Sequence, residues 1–255
     1  MIKIEHIDTA CTLIQLGDLT ILTDPCFDSA GNWYYFGYGT LSKKTNQPAR
    51  SIKQLPKIDL ILLSHHQHSD NLDHTGKQLV AGNIPVISTK KAAAKIKSGT
   101  GLSNWQTTSL FDDRLKVTAI LAQHHPFWMP GFLSGPVIGF VLEYENKTIY
   151  ITGDTVYTKK LKQVKTMFPK IDILILHLGA VQFRYLTGTA LYTMNAKQGL
   201  RLSQLLNPNA IIPVHYEGWK HFKEDKQDII ERFKGTEYEK KLYFCSMDNI
   251  FSLKS

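Results

Sequence analysis

The segment Ser64-His65-His66-Gln67-His68-Ser69-Asp70-Asn71-Leu72-Asp73 carries three imidazoles and two carboxylates within one short stretch. Groups of these types crowd together at little cost when a divalent cation sits among them. His66 and His68 are two residues apart, so on an extended segment they face the same way, and Asp70 follows in the same phase. His65 adjoins His66 and offers the alternative register; the two-residue spacing to His68 favours His66. One short loop can thus seed a site for one or two metal ions. Three further candidates lie downstream: His124 in Gln123-His124-His125, Asp154 in Gly153-Asp154-Thr155, and His215 in Val214-His215-Tyr216.

Each candidate stands where an apolar run ends. Leu60-Ile61-Leu62-Leu63 leads into the histidine loop, Leu115 to Leu121 leads to His124, Thr148 to Thr152 leads to Asp154, and Ala210 to Val214 leads to His215. Such runs read as buried strands. Loops at strand ends of a layered α/β protein converge on one edge, where ligand sites form. A lone His is more often a core or surface residue, and His6, His74, His125 and His221 are read that way. Four strand ends that each deliver His or Asp are a stronger pattern.

In the order of these elements the chain resembles the metallo-β-lactamase-fold hydrolases. Their His-x-His-x-Asp-His loop, later His, Gly-Asp and last His match His66, His68, Asp70, His124, Asp154 and His215. Thr23-Asp24-Pro25 matches the buried Asp that precedes the metal loop in that family. The resemblance covers roughly residues 1 to 250. It looks closest to the branch of ascorbate-6-phosphate lactonase and N-acylphosphatidylethanolamine phospholipase D, through Ala122-Gln123-His124 and Pro213-Val214-His215-Tyr216. It departs at Asn71, which stands where the family has a second loop His; an amide is a weak ligand. His177, ending Ile173-Leu174-Ile175-Leu176, is an added ligand or a substrate contact.

The resemblance implies a single domain over residues 1–255 with an α/β, four-layer αββα sandwich. It implies a three-nitrogen site of His66, His68 and His124, and an oxygen-rich site of Asp70, Asp154 and His215. Zinc, one or two ions, suits these donors, and manganese or iron would also suit the oxygen-rich half. A metal-bound hydroxide would then attack an ester, lactone or phosphodiester, with His66, His68 and Asp70 as catalytic residues. Asp24 and Asp73 would brace the loop from behind. Trp33, Tyr35, Trp128, Tyr216 and His177 are candidate substrate contacts, because the stretches Trp33 to Tyr38 and Phe127 to Phe132 put aromatic surface beside ligand loops. The alternative function is a non-catalytic protein that retains the fold and binds a ligand or metal without turnover.

Composition sets bounds on partners. The 255 residues, 43% hydrophobic and 20% charged, suit an ordinary globular chain with a full core. A net charge of +8 favours an anionic substrate, here a small molecule that is anionic or amphiphilic. The basic residues are dispersed as pairs, which argues against nucleic acid. No apolar run is long enough for a transmembrane span. The start reads as a strand, not a signal peptide, and Cys11, Cys26 and Cys245 read as reduced, buried thiols, so a cytoplasmic protein is expected. A homo-oligomer is compatible with the loop-rich surface.

The elements expected are an opening hairpin (Ile2 to Ile7, Cys11 to Leu16, Leu19 to Thr23) and then alternating strands and helices. Helices are expected at Gly76 to Ala81, Lys90 to Ile96, Lys159 to Phe168, Asn195 to Leu206 and Ile229 to Phe233. Asn195 with Gln198 resembles a capping box, and Leu242 to Cys245 and Ile250 to Leu253 read as closing strands.

Overall fold

Apolar and β-branched residues fill the opening of the chain. They form three successive antiparallel strands, β1 (Ile2–Asp8), β2 (Cys11–Leu16) and β3 (Leu19–Thr23). A hairpin follows, β4 (Trp33–Gly37) and β5 (Thr40–Lys43), and then β6 (Leu60–Leu63), β7 (Val86–Thr89) and β8 (Gly99–Leu102). Strands β9 (Thr107–Leu110), β10 (Leu115–Leu121), β11 (Ile138–Tyr144), β12 (Lys147–Ile151), β13 (Ile173–His177) and β14 (Ala210–Val214) make up a second sheet, and β15 (Phe251–Leu253) closes the chain. The helices are α1 (His74–Val80), α2 (Lys90–Ala93), α3 (Lys162–Met167), α4 (Arg184–Thr187), α5 (Ala196–Leu206) and α6 (Lys226–Phe233). This computed structural model describes residues 1–254. Among them, no helix is long and apolar enough to cross a membrane.

The chain divides into two units. One holds Met1–Ser103, Glu217–His221 and the described residues from Cys245 onward; the other holds Asn104–Tyr216 and Phe222–Phe244. The first unit carries a seven-stranded sheet in the order β15-β1-β2-β3-β6-β7-β8. Its pairs are antiparallel from β15 to β3 and parallel from β3 to β8. Its own core gathers Leu22, Ile61, Leu63, Val86 and Ala92. All four residues of β6 are buried, as a parallel strand covered on both faces requires. The second unit carries a six-stranded sheet, β14-β13-β12-β11-β10-β9. Here β14, β13 and β12 are parallel, and β12, β11, β10 and β9 alternate. Helices α3, α5 and α6 contribute Val164, Leu202, Leu206, Ile229 and Phe233 to its core.

Most expected elements are present, with differences that have local causes. Asn195 caps α5 by accepting from the Gln198 amide, but the Gln198 side chain accepts from the Tyr157 amide instead of returning the bond. Helix α2 is a single turn, closed by Ala94 and Lys95 amides onto Lys90 and Ala92 carbonyls. The residues of the expected strand at 242–245 make only an isolated bridge, Leu242 to Ile211.

Lys44, just past β5, is fully buried at 0% exposure. Its ammonium donates to Asp8 at the end of β1 and stands 5.4 Å from the Trp219 ring centroid. Burial favours the neutral amine, but the Asp8 carboxylate outweighs it and raises the Lys44 pKa. Breaking a buried pair strands one charge and costs about 3–5 kcal/mol. We therefore expect Lys44→Ala to lose stability of that order in urea unfolding. The double variant Asp8→Leu/Lys44→Met should lose less, because no orphan charge remains. A single-variant loss no larger than that of an exposed lysine would show that the pair does not anchor the hairpin.

Candidate metal centre

In the first unit, parallel strands β3 and β6 end side by side. Past them, Asp24 adopts a left-handed backbone (φ 35°). Its amide donates to the Leu62 carbonyl at 3.0 Å, and its carboxylate accepts from the Ser64 amide at 2.7 Å. This fixes where the histidine loop leaves β6. The Ser64 hydroxyl accepts from the Asn71 amide at 3.3 Å and lies 2.9 Å from His65 Nδ1. The far nitrogen of that ring, Nε2, lies 3.1 Å from His68 Nδ1. Two imidazole nitrogens turned towards each other suit either a shared proton or a shared cation.

Of the two registers open in the loop, the structure turns His65, the alternative to His66, towards His68. The reason is the loop's shape. Residues 64–70 bend, and the Asn71 and Leu72 amides fold back onto the His68 carbonyl, so the alternation of an extended strand does not hold. His66 turns elsewhere, into a cavity it shares with Leu72, Lys77, Lys95 and Ile96. Burial, and then Lys95, Lys91 and Lys77, lower its pKa. Asn71 is buried, and its side-chain amide donates to the Ser64 hydroxyl.

Asp70 is buried, with one carboxylate oxygen 3.1 Å from His221 Nε2. His221 Nδ1 lies 2.6 Å from the Ser42 hydroxyl on β5. The Cys26 thiol donates to the Asp70 carbonyl at 3.0 Å, and burial pushes that thiol well above its ordinary pKa, so it stays a donor. Asp73 is the N-cap of α1. It accepts from the Gly76, Phe27 and Asp28 amides at 2.7, 2.5 and 2.6 Å. A methyl on Gly76 would stand 2.0 Å from the Pro25 carbonyl oxygen, so this close approach admits only glycine.

Trp33 to Tyr35 of the hairpin β4–β5 alternate in burial, and the pairing register shifts between Tyr35 and Gly37. Tyr34 and Phe36 turn inward, and Phe36 lies 4.8 Å from the His221 ring and 5.9 Å from the His68 ring. Trp33 and Tyr35, the expected substrate contacts, point the other way and are 60% and 63% exposed. Phe36 belongs to the aromatic stretch expected to wall a pocket, and His221, read mostly as a core or surface histidine and only weakly as a lining residue, is the partner of Asp70. A period-2 reading of Trp33 to Phe36 would have singled out Phe36.

In the second unit, β10 and β12 are each antiparallel to β11, so they run in one direction, and β13 and β14 follow β12 in parallel. Their carboxyl ends meet at one edge, which brings His124, Asp154, His177 and His215 together. The Asp154 carboxylate is fully buried, 3.4 Å from His215 Nε2 and 4.0 Å from His124 Nδ1. His124 Nδ1 lies 2.9 Å from the Tyr192 carbonyl, and His215 Nδ1 lies 3.3 Å from the Leu178 carbonyl. A carbonyl can only accept, so both rings donate from Nδ1. In the neutral ring that leaves Nε2 as a lone pair, the form in which histidine binds a metal. The donors thus fit a divalent cation.

Glycine and strain serve this edge. Gly153 has φ +60°, and a Cβ there would stand 2.6 Å from the Ile138 carbonyl oxygen. His215 itself has φ 58°. A left-handed non-glycine residue costs about 1–3 kcal/mol and collects at functional sites. His177 lies behind this edge: its ring stacks on His215 at 5.8 Å, and its Nδ1 is 3.3 Å from the Thr152 hydroxyl. Tyr216, an expected substrate contact, is buried in the core and packs edge-on against Phe244. Trp128 is exposed on the loop that also exposes Phe127 and Phe132.

Comparison with known proteins places this geometry. Residues 20–216 match the family model described as beta-lactamase superfamily domain. A relative called UPF0173 metal-dependent hydrolase, from Nanoarchaeum equitans, is 30% identical over 70% of this chain and 79% of its own length. A possible metal-dependent hydrolase from Veillonella parvula has a similar structure, with TM-score 0.86, 18% identity, and coverage of 99% of this chain and 100% of the other. An isothiocyanate hydrolase from Delia radicum gut bacteria is similar at TM-score 0.83 and 24% identity, covering 99% of both chains. Likeness over nearly the whole chain bears out the metallo-β-lactamase type of αββα fold.

The brace behind the histidine loop has an acid limb. Burial acts to raise the Asp28 carboxyl, but donation from Thr75, Tyr34 and His74 outweighs it and holds the group at about 2. An unfolded Asp titrates near about 3.9. A depressed folded pKa gives stability that is present above the unfolded value and lost as pH falls through the folded one. We expect the stability gap between wild type and Asp28→Asn to be constant above about pH 5 and to narrow between about pH 4 and 2. Urea midpoints across that range measure it, and a gap that does not change with pH would refute the assignment.

Proposed function

The chain belongs to the beta-lactamase superfamily domain family, and on that premise we propose how it works as a metal-dependent hydrolase. The first unit would offer His65, His68 and Asp70 to divalent ions, and the second would offer His124, Asp154 and His215. The observation that carries this reading is the pair of Nδ1 contacts, His124 to Tyr192 and His215 to Leu178, which turn both Nε2 atoms into ligands beside a buried Asp154. The ion supplies a Lewis acid and a nucleophilic water at neutral pH. Zinc would suit the imidazole donors, and manganese or iron would also suit the carboxylates.

The chain's own residues do the rest. His221 holds one Asp70 oxygen, so the other is aimed by the Ser42–His221–Asp70 chain. Phe36 covers His68 and His221 and limits water there. Asp24, Asp73 and Cys26 keep the loop from shifting. The electrophile is an ester or lactone carbonyl or a phosphodiester phosphorus, on a molecule with an anionic part that suits the +8 chain. Exposed Phe127, Trp128 and Phe132 offer apolar area for its body. The isothiocyanate hydrolase of similar fold adds the isothiocyanate carbon to the electrophiles worth screening.

Elemental analysis of protein purified without chelator tests the ligand set. We expect about two ions per wild-type chain, as in two-metal hydrolases. His65→Ala and His68→Ala should lose metal, and His66→Ala should keep it. Hydrolysis of bis(p-nitrophenyl) phosphate, lactones, p-nitrophenyl esters and isothiocyanates should fall with the metal. Equal metal loss in His65→Ala and His66→Ala would overturn the register, and turnover by metal-free protein would overturn the mechanism.

A further inference from the structure

The first unit holds a second recess that the hydrolytic site does not use. It encloses about 380 Å³, within the range of small-ligand sites. Leu72, Val80, Ala92 and Ile96 form its apolar floor, from α1, α2 and the turns beside them. The exposed lysines Lys77, Lys95 and Lys97 also line it, and its lining contains no carboxylate. Like charges brought together around an apolar surface repel, and an anion among them relieves that repulsion. His66 completes the wall, with its Nδ1 buried and without a hydrogen-bond partner.

We propose that this recess binds a small anionic amphiphile, with a phosphate or carboxylate head among Lys77, Lys95 and Lys97 and a short apolar body on Leu72, Val80, Ala92 and Ile96. Both halves of the lining are needed for that choice. A bare inorganic anion leaves the apolar floor wet, and a neutral apolar ligand leaves the ammonium groups uncompensated. The recess meets the histidine loop at His66, while the neighbouring His65 turns to His68. Its occupant is thus a second ligand that touches the loop through His66, separate from the molecule being hydrolysed.

Methyl-resolved NMR on the metal-loaded full chain tests this, with n-hexyl phosphate and inorganic phosphate as probes. Hexyl phosphate should shift the Ile96, Leu72, Val80 and Ala92 methyls, and inorganic phosphate should do so more weakly. Lys77→Gln/Lys95→Gln should weaken hexyl phosphate at least tenfold, and Lys240→Gln should leave it unchanged. The response should persist in metal-free His68→Ala protein. Methyls that stay still, equal affinity in the double variant, or a response lost together with the metal would each overturn the proposal. The last result would move the probe to the metal centre, so failure here is distinguishable from failure of the hydrolase reading.

Discussion

The carbonyls of Tyr192 and Leu178 decide what His124 and His215 can do. Each takes the Nδ1 proton of its histidine and so fixes the tautomer that exposes Nε2. Without them the rings could turn or carry the proton on the other nitrogen, and a buried Asp154 would have no ordered partners. Those two residues are in turn held by backbone bonds. Leu178 follows β13, and its amide bonds to Val214; Tyr192 bonds back to Val181. The chemistry of the edge therefore rests on backbone groups, which a side-chain substitution does not remove.

The first unit solves the same problem with carboxylates in place of carbonyls. Asp24 accepts from the Ser64 amide, Asp73 from three amides, and Asp28 from the start of α1 and from Tyr34. Most of these partners are backbone N–H groups, which stabilise a buried anion without adding a mobile cation beside a metal. Backbone strain at Asp24 and His215 is the cost of aiming groups from strand ends. It is carried by well-buried strands on either side, β6 and β14 among them.

Much of this could be read from the sequence for a physical reason. Apolar runs of four to seven residues ending in His or Asp mark parallel strands whose carboxyl ends share an edge, and His124, Asp154 and His215 occupy that edge. The histidine loop was legible as a cluster with two registers open. Period two belongs to extended chain, and here two amides fold onto the His68 carbonyl, so it is His65, the alternative, that faces His68. The same rule, withheld from Trp33 to Phe36, would have worked there, because those residues do form a strand. Tyr216 read as a pocket residue from its place beside His215, and the structure buries it in the core cluster of the second unit. The role of His221 lies in a contact 151 positions distant in sequence, with Asp70, and no local pattern encodes it.

That contact depends on how the first unit is assembled. The chain leaves the second unit after Tyr216, gives Glu217–His221 to the first, and resumes the second at Phe222. The inserted residues are fixed within the first unit on both sides. The Thr45 amide donates to Gly218, the Lys220 amide donates to Lys43, and the Trp219 indole donates to the Thr9 hydroxyl. Trp219 also packs edge-on against Tyr34 and Phe36 of the hairpin. His221 thus reaches Asp70 from a strap held by backbone bonds and roofed by aromatic rings. Water kept from a hydrogen bond strengthens it, and an unpaired polar group in the same place would be costly. Asp70 is therefore best aimed when hairpin, strap and loop are all in place, which ties the geometry of one carboxylate to the folding of the whole first unit.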